Sequence, residues 1–314
     1  MISKRLSVDD FVNQAKRVSA DDFLILIKRV IVQMKKEQRN PKSKRANQRL
    51  ACLPASGKAS IVGDIHGDLE SLAYILKGSG FLDEAQNGED VRLIFLGDYG
   101  DRGIKSPEVY CLVLKLKELF ANKVVLMRGN HEGPMDMLPI PNDLPAQLEQ
   151  KYGEEAGAKL MAELRKLFDQ LYTAVIIKDR VVLIHGGPPS KALSTNDLAY
   201  AHLKHHKETF LEEMLWSDPQ ENIVGTEFSP RGAGKLFGED VTNSLLKMLN
   251  VKVLIRSHES CPGGYKINHN GKVLTLFSTN KSPYANKYAA YLKLDMTKNI
   301  ENAQQLEKRI KQFE

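Results

Sequence analysis

Ala59-Ser60-Ile61-Val62-Gly63-Asp64-Ile65-His66-Gly67 decides how this chain is read. A short apolar run stops at a glycine, and a carboxylate and an imidazole follow it, separated by one residue. Such a run reads as a buried strand that ends in a loop carrying polar side chains. The pattern recurs four times. The run 91–96 leads into Gly97-Asp98-Tyr99-Gly100-Asp101-Arg102-Gly103, and 124–127 into Arg128-Gly129-Asn130-His131-Glu132. Run 181–184 ends in His185-Gly186-Gly187, and 253–255 in Arg256-Ser257-His258-Glu259.

Between several of these strands lie stretches of helical periodicity, 69–76, 107–120 with its proline at the start, and 144–171. Strand and helix therefore alternate, which places the chain in the α/β class. The later runs 273–277 and 288–294 lack a helix between them and imply an antiparallel portion. Upstream, Ser19 with Asp21 and Asp22 caps a helix whose apolar face is Phe23, Leu24, Ile27, Val30, Ile31 and Met34, expected to dock on the core. The polar stretch 35–49, with Pro41, reads as a loop. The spacing divides the chain into a basic, largely helical extension (1–57), a catalytic domain (58–295) and a charged tail (296–314) expected to be a polar helix.

The net charge of +6 is unevenly placed. Residues 1–58 hold 14 Lys or Arg against 5 Asp or Glu, so the remainder is slightly acidic and the basicity belongs to the extension. That distribution argues against nucleic-acid binding by the catalytic region and leaves the extension as a solvated face or a surface for a regulatory partner. No run approaches the roughly 18 apolar residues of a membrane span, and no secretory signal pattern is present, so a soluble, cytoplasmic protein is expected. Cys52, Cys111 and Cys261 form no close pair and read as reduced, buried residues.

Loops beyond the carboxyl ends of strands are where α/β sheets carry their chemistry. Carboxylate, imidazole and amide oxygen together suit divalent ions such as manganese, iron or zinc. Asp64 and His66 leave an extended loop on the same side and can share one ion. Asn130, His185 and His258 can hold a second, with Asp98 as the bridge, and two ions about 3.5–4 Å apart can activate a water and hold an ester phosphate. His131 is placed to protonate a leaving alcohol, with Asp101 orienting it. Arg102 and Arg231 supply planar donors for phosphate oxygens. His202, His205, His206 and His269 lie in polar surroundings and read as surface residues.

The ordered series G-D-x-H-G, G-D-x-x-D-R-G, G-N-H-E and H-G-G resembles the signature of the phosphoprotein phosphatases, within the calcineurin-like metallophosphoesterases. Leu215-Trp216-Ser217-Asp218-Pro219, Arg231-Gly232, Phe237-Gly238 and Arg256-Ser257-His258-Glu259 extend the likeness over roughly residues 58–295. The resemblance implies a central two-sheet β-sandwich flanked by helices and two metals, most simply manganese. It also implies phosphorylated serine or threonine side chains of proteins as substrate, and direct attack by a bridging water or hydroxide. It assigns Asp64, His66, Asp98, Asn130, His185 and His258 as metal ligands, His131 with Asp101 as the acid pair, and Arg102, Arg231 and Asn130 as phosphate contacts. Where relatives carry Ala-Pro-Asn-Tyr after Phe-Ser, this chain reads Thr279-Asn280-Lys281-Ser282-Pro283-Tyr284, which leaves open whether Tyr284 is the tyrosine that overhangs the site.

Two other readings stand beside this one. The same cage could serve a hydrolase of dinucleoside polyphosphates or small phosphate esters, although those enzymes tend to lack an acid at the place of Asp101. The chain could instead be a non-catalytic polyanion- or partner-binding protein acting through its extension. Neither an H-C-x5-R loop nor a G-x-x-x-x-G-K-[ST] loop occurs, which excludes cysteine-dependent phosphatases and P-loop enzymes.

Overall fold

The computed structural model of the chain describes residues 5–39 and 46–314. Ser7 opens the first helix, α1 (Val8–Arg17), by a capping box in which its hydroxyl accepts from the Asp10 amide and the Asp10 carboxylate accepts from the Ser7 amide. Ser19 does the same for the Asp22 amide at the head of α2 (Ala20–Arg39). Then come β1 (Ala46–Asn47), β2 (Leu50–Leu53), β3 (Lys58–Val62), α3 (Leu69–Ser79), α4 (Phe81–Gln86), β4 (Val91–Phe95), α5 (Ser106–Leu119) and β5 (Val124–Leu126). The helical pair α6 (Leu144–Tyr152) and α7 (Glu154–Phe168) leads to β6 (Ala174–Ile177) and β7 (Val181–Ile184). Three short helices, α8 (Thr195–Ala199), α9 (Ala201–Lys204) and α10 (Phe210–Trp216), precede β8 (Asp218–Pro219), β9 (Thr226–Phe228) and β10 (Lys235–Phe237). Last are α11 (Glu239–Leu249), β11 (Val253–Arg256), β12 (Tyr265–Asn268), β13 (Val273–Leu276), β14 (Ala289–Asp295) and β15 (Ile310–Phe313).

Two mixed sheets face each other, one ordered β15-β14-β3-β4-β5 and the other β1-β2-β6-β7-β11-β13-β12. Their inner faces share one core, in which Val62 and Phe95 meet Leu183, Ile255 and Leu274. A second core lies between the outer face of the larger sheet and α10 and α11. Strands β3, β4 and β5 run parallel, as do β7, β11 and β13. An Asp64–Phe277 bridge joins the ends of β3 and β13 in parallel, so the carboxyl ends of six strands open on one rim. This is the sandwich flanked by helices that the motif order implied.

Outside that centre, the chain departs from the sequence reading in several places. The stretch expected as a loop from residue 35 is helical to Arg39, and its remainder, 40–45 with Pro41, lies outside the described residues. Its polar side chains bond to the core: Glu37 accepts from the fully buried Lys117 Nζ at 2.8 Å, and Gln38 Nε2 donates to the Gln170 carbonyl at 2.6 Å. Residues 50–53 pair with β6 as part of the larger sheet. The stretch 144–171 breaks at Gly153, whose φ of +84° and ψ of 160° suit only glycine, and α7 folds back on α6. The tail is not a polar helix: a 3-10 segment, Ala303–Arg309, gives way to β15, which pairs antiparallel with β14. The edge of β14 would otherwise expose unpaired backbone groups, and Ile310 and Phe313 add buried apolar surface. His269 is fully buried rather than exposed, its Nδ1 2.9 Å from Thr242 Oγ1 beneath α11. Cys111 and Cys261 are buried and Cys52 half-buried, all as free thiols.

Candidate active site

The rim where six strands end is built from backbone that few residues tolerate. His66, Asp98, Asp101, Arg102 and His258 all have positive φ, between +45° and +76°. Non-glycine residues in this region carry a cost of about 1–3 kcal/mol, and they cluster where function fixes a side-chain direction. Two glycines let the β4 and β5 loops interlock. A Cβ on Gly97 would sit 2.3 Å from the Gly129 amide nitrogen, and one on Gly129 would sit 2.1 Å from Asp98 Oδ1.

Buried donors below the rim fix each side chain. Glu132 accepts from the amides of Asp98, Tyr99 and Gly129 and from the Tyr110 hydroxyl, tying β4, β5 and α5 together. Ser257 donates to Asp64 Oδ1, and Ser278 accepts from the Gly63 amide. His66 Nδ1 is 3.0 Å from the Gly100 carbonyl and His185 Nδ1 3.0 Å from the Leu96 carbonyl. A carbonyl only accepts, so both Nδ1 atoms carry the proton and both Nε2 lone pairs face the rim, the usual arrangement of metal-binding imidazoles.

Those lone pairs meet other acceptors. His66 Nε2 lies 3.5 Å from Asp64 Oδ2 and 3.6 Å from Asp98 Oδ2. His185 Nε2 lies 3.5 Å from Asp98 Oδ2 and 3.0 Å from Asn130 Oδ1, which is also 3.0 Å from His258 Nδ1. Turned over, the Asn130 amide would donate to both imidazoles and to Asp98. Even so, Asp64 Oδ2 and His258 Nε2 stay buried without a hydrogen-bond partner. With Oδ1 inward, cations among these acceptors would satisfy Asp64 Oδ2, Asn130 Oδ1, the Nε2 atoms of His66 and His185 and the Nδ1 of His258. About 3.4 Å between ligand atoms is the edge of a tetrahedron with metal bonds near 2.1 Å, so the residues fit such ions. Asp64, His66 and Asp98 could hold one and Asp98, Asn130, His185 and His258 another. Burial opposes charge on His66, but the Asp64 and Asp98 carboxylates outweigh it and push its pKa up to about 9, so its Nε2 carries a proton until a cation displaces it. Burial also opposes charge on Asp98, yet His185 and His131 hold its carboxyl well below the usual range. Burial drives His258 down to about 3, so it stays neutral.

His131 stands beside this cluster with its Nδ1 2.7 Å from Asp101 Oδ2. Asp101 is itself held from a distant part of the chain. Asn142 Nδ2 donates to its Oδ2 at 3.0 Å, and the amides of Asp143 and Leu144, at the N-terminus of α6, donate to its Oδ1 at 2.8 and 2.7 Å. Nothing in the spacing of Asn142 and Asp143 marks them as partners of Asp101, whereas Glu132 could have been noticed as the last letter of G-N-H-E.

Above the acceptors opens a cleft of about 300 Å³ lined by Arg102, Arg231, His131, Trp216, Pro139 and Tyr284 among others. Asp218 fixes the Nε edge of Arg231 at 2.5 Å, and no hydrogen bond among the described residues engages its terminal nitrogens. Tyr284 packs 5.2 Å from His66 and 4.8 Å from Phe277, ring centre to ring centre, so this tyrosine does stand over the cleft. Burial, with Asp64 and Asp98 nearby, raises its phenol pKa and keeps it a hydrogen-bond donor. The residues singled out from sequence for metal, acid and phosphate thus all line or border one cleft.

Residues 58–262 match the family described as calcineurin-like phosphoesterase. The chain is 33% identical over 245 residues to a serine/threonine-protein phosphatase 4 catalytic subunit of Kluyveromyces lactis, covering 76% of each protein. It is 35% identical over 243 residues to a probable serine/threonine-protein phosphatase of Encephalitozoon cuniculi, covering 77% of this chain but only 51%, about half, of that protein's length. A solved serine/threonine phosphatase structure from Saccharomyces cerevisiae superposes with a TM-score of 0.74 at 22% identity, over 98% of this chain and 96% of that one, which is a likeness of fold. With this cage of acceptors at the strand ends, the chain belongs to the calcineurin-like phosphoesterases and, within them, to the phosphoprotein phosphatases, a family of metal-dependent phosphatase enzymes.

Proposed function

We propose that this enzyme removes phosphate from phosphoserine and phosphothreonine side chains of proteins. The observation that carries the reading is the meeting of the acceptor cage with the His131–Asp101 pair, 2.7 Å apart, in one cleft with Arg102 and Arg231. When bound, two divalent cations supply the Lewis acidity and the nucleophile for in-line attack on phosphorus. We take them to be manganese, with iron or zinc suited to the same donors. Asp64, His66, Asp98, Asn130, His185 and His258 are the ligands in this reading. Arg102 and Arg231 hold the phosphate oxygens in the plane where charge spreads, helped by Asn130 and by the Tyr284 hydroxyl. Serine and threonine alkoxides leave poorly, and His131, its Nδ1 anchored on Asp101, delivers a proton to the departing oxygen.

We further propose that α1 and α2, on the basic extension, offer a surface to a regulatory protein and that the enzyme works in the cytoplasm. None of the described helices is long and apolar enough to cross a membrane. Metal-stripped protein titrated with manganese, with a phosphoserine peptide and a dinucleoside tetraphosphate as rival substrates, tests the function. Manganese-dependent peptide turnover that falls by about 10²–10⁴-fold in His131→Ala is expected. Cleavage of the dinucleotide with no peptide turnover under any metal would overturn the substrate class while leaving the cage intact.

A further inference from the structure

A second group of metal-ligating side chains sits outside the cage. His205 Nε2 lies 2.9 Å and His206 Nδ1 3.6 Å from the same oxygen, Asp136 Oδ2. The two imidazole rings are 4.0 Å apart, and the three ligand atoms fall within 4.8 Å of one another. Ligands on a tetrahedral zinc ion with bonds near 2.1 Å stand about 3.4 Å apart, so the carboxylate oxygen already lies close to the required spacing from both nitrogens. His206 holds a φ of +72°, which is unfavourable for a residue with a Cβ, and that conformation stacks its ring beside that of His205. With its side chain 73% exposed, His206 gains little from burial to offset the backbone cost.

We propose that Asp136, His205 and His206 form a surface site for a zinc-type transition-metal ion, separate from the cage and with its remaining positions open to water. The donors are two imidazoles and one carboxylate, which favour zinc or copper over the harder manganese and magnesium ions. The site would tie together two segments that are distant in sequence. Asp136 lies in the 3-10 turn Met135–Met137, between His131 and the Asn142-Asp143 pair that holds Asp101. His205 and His206 follow α9, and the hollow they line also includes Met137 and Gly232, chain neighbours of the cleft residues Pro139 and Arg231. An ion there clamps the loop that carries the Asp101 support against the α9–α10 connection at the mouth of the cleft.

Counting bound zinc on the full-length chain tests the proposal. Wild type, His206→Ala and Asp136→Ala are equilibrated in the same zinc buffer, and metal per chain is measured. Each variant should bind one equivalent fewer than wild type. The His205 and His206 ring resonances should shift with zinc in wild type only, and hydrolysis supported by manganese alone should be unchanged in both variants, which also reports that they fold. The same zinc content in wild type and in either variant would overturn it.

Discussion

Replacing Asp101 with asparagine separates acid catalysis from the rest of the site. The carboxylate accepts four hydrogen bonds, from the Asp143 and Leu144 amides on Oδ1 and from Asn142 Nδ2 and His131 Nδ1 on Oδ2. An asparagine has one acceptor to offer. If its oxygen stays on the helix amides, its NH2 confronts the Asn142 donor and the His131 N–H. If it turns the other way, it confronts both amides. Either orientation strands buried donors, at about 1–3 kcal/mol of stability, and leaves His131 without an anionic partner when it must carry the proton. The rate on a phosphoserine peptide should fall about 10²–10⁴-fold, which at 1.36 kcal/mol per tenfold is about 2.7–5.4 kcal/mol of barrier. The assay compares that peptide with p-nitrophenyl phosphate, whose phenolate leaves without a proton, at saturating manganese. The nitrophenyl ester should lose less than about tenfold, because its barrier contains little acid catalysis. Equal losses on both substrates, with metal content unchanged, would refute the role of His131 and Asp101 as an acid pair.

Three further outcomes concern the scaffold. Glu37→Ala removes the carboxylate from Lys117, a fully buried ammonium whose remaining acceptors are the Ala121 and Val124 carbonyls. Urea unfolding should show a loss of about 2–4 kcal/mol, between a charged hydrogen bond and a broken buried pair, and a loss under 0.5 kcal/mol would mean that α2 does not depend on that pair. Deleting residues 310–314 strips the outer edge of β14 of its partner strand and removes the buried Ile310 and Phe313, so the thermal midpoint should fall by an amount equivalent to about 3–5 kcal/mol; an unchanged midpoint would show that β15 is dispensable. His202, half-buried and close to Arg49 and Arg128, is driven down to about 4 by burial first and by those cations second. The unfolded chain then binds the proton more readily, so its contribution is full above about pH 6.5 and is lost as pH falls towards 4. His202→Gln should flatten the dependence of stability on pH across that window, and an unaltered slope would contradict the assignment.

Much of the site could be read from the sequence because its chemistry is local. Asp64 and His66, Asp98 with Asp101 and Arg102, and Asn130 with His131 each sit within a few residues of a strand end, where glycines permit the turn. An ordered series of such loops after parallel strands leaves few ways to arrange them. Glu132, Ser257 and Ser278 were on the page as letters, but which backbone amide each bonds depends on how the loops interlock.

The sequence by itself determined the α/β alternation, the strand ends that carry the proposed ligands, and the family, since strand length, glycine position and side-chain type are properties of short segments. Only the tertiary structure decided what depends on distant partners. It turned the polar residues after Met34 into helix, because Glu37 and Gln38 bond to Lys117 and Gln170 on the body of the fold. It made the charged tail a strand, because the open edge of β14 needed backbone partners. It brought Asn142 and the head of α6 onto Asp101, across some forty residues of chain, because a buried carboxylate must find donors wherever the packed fold supplies them.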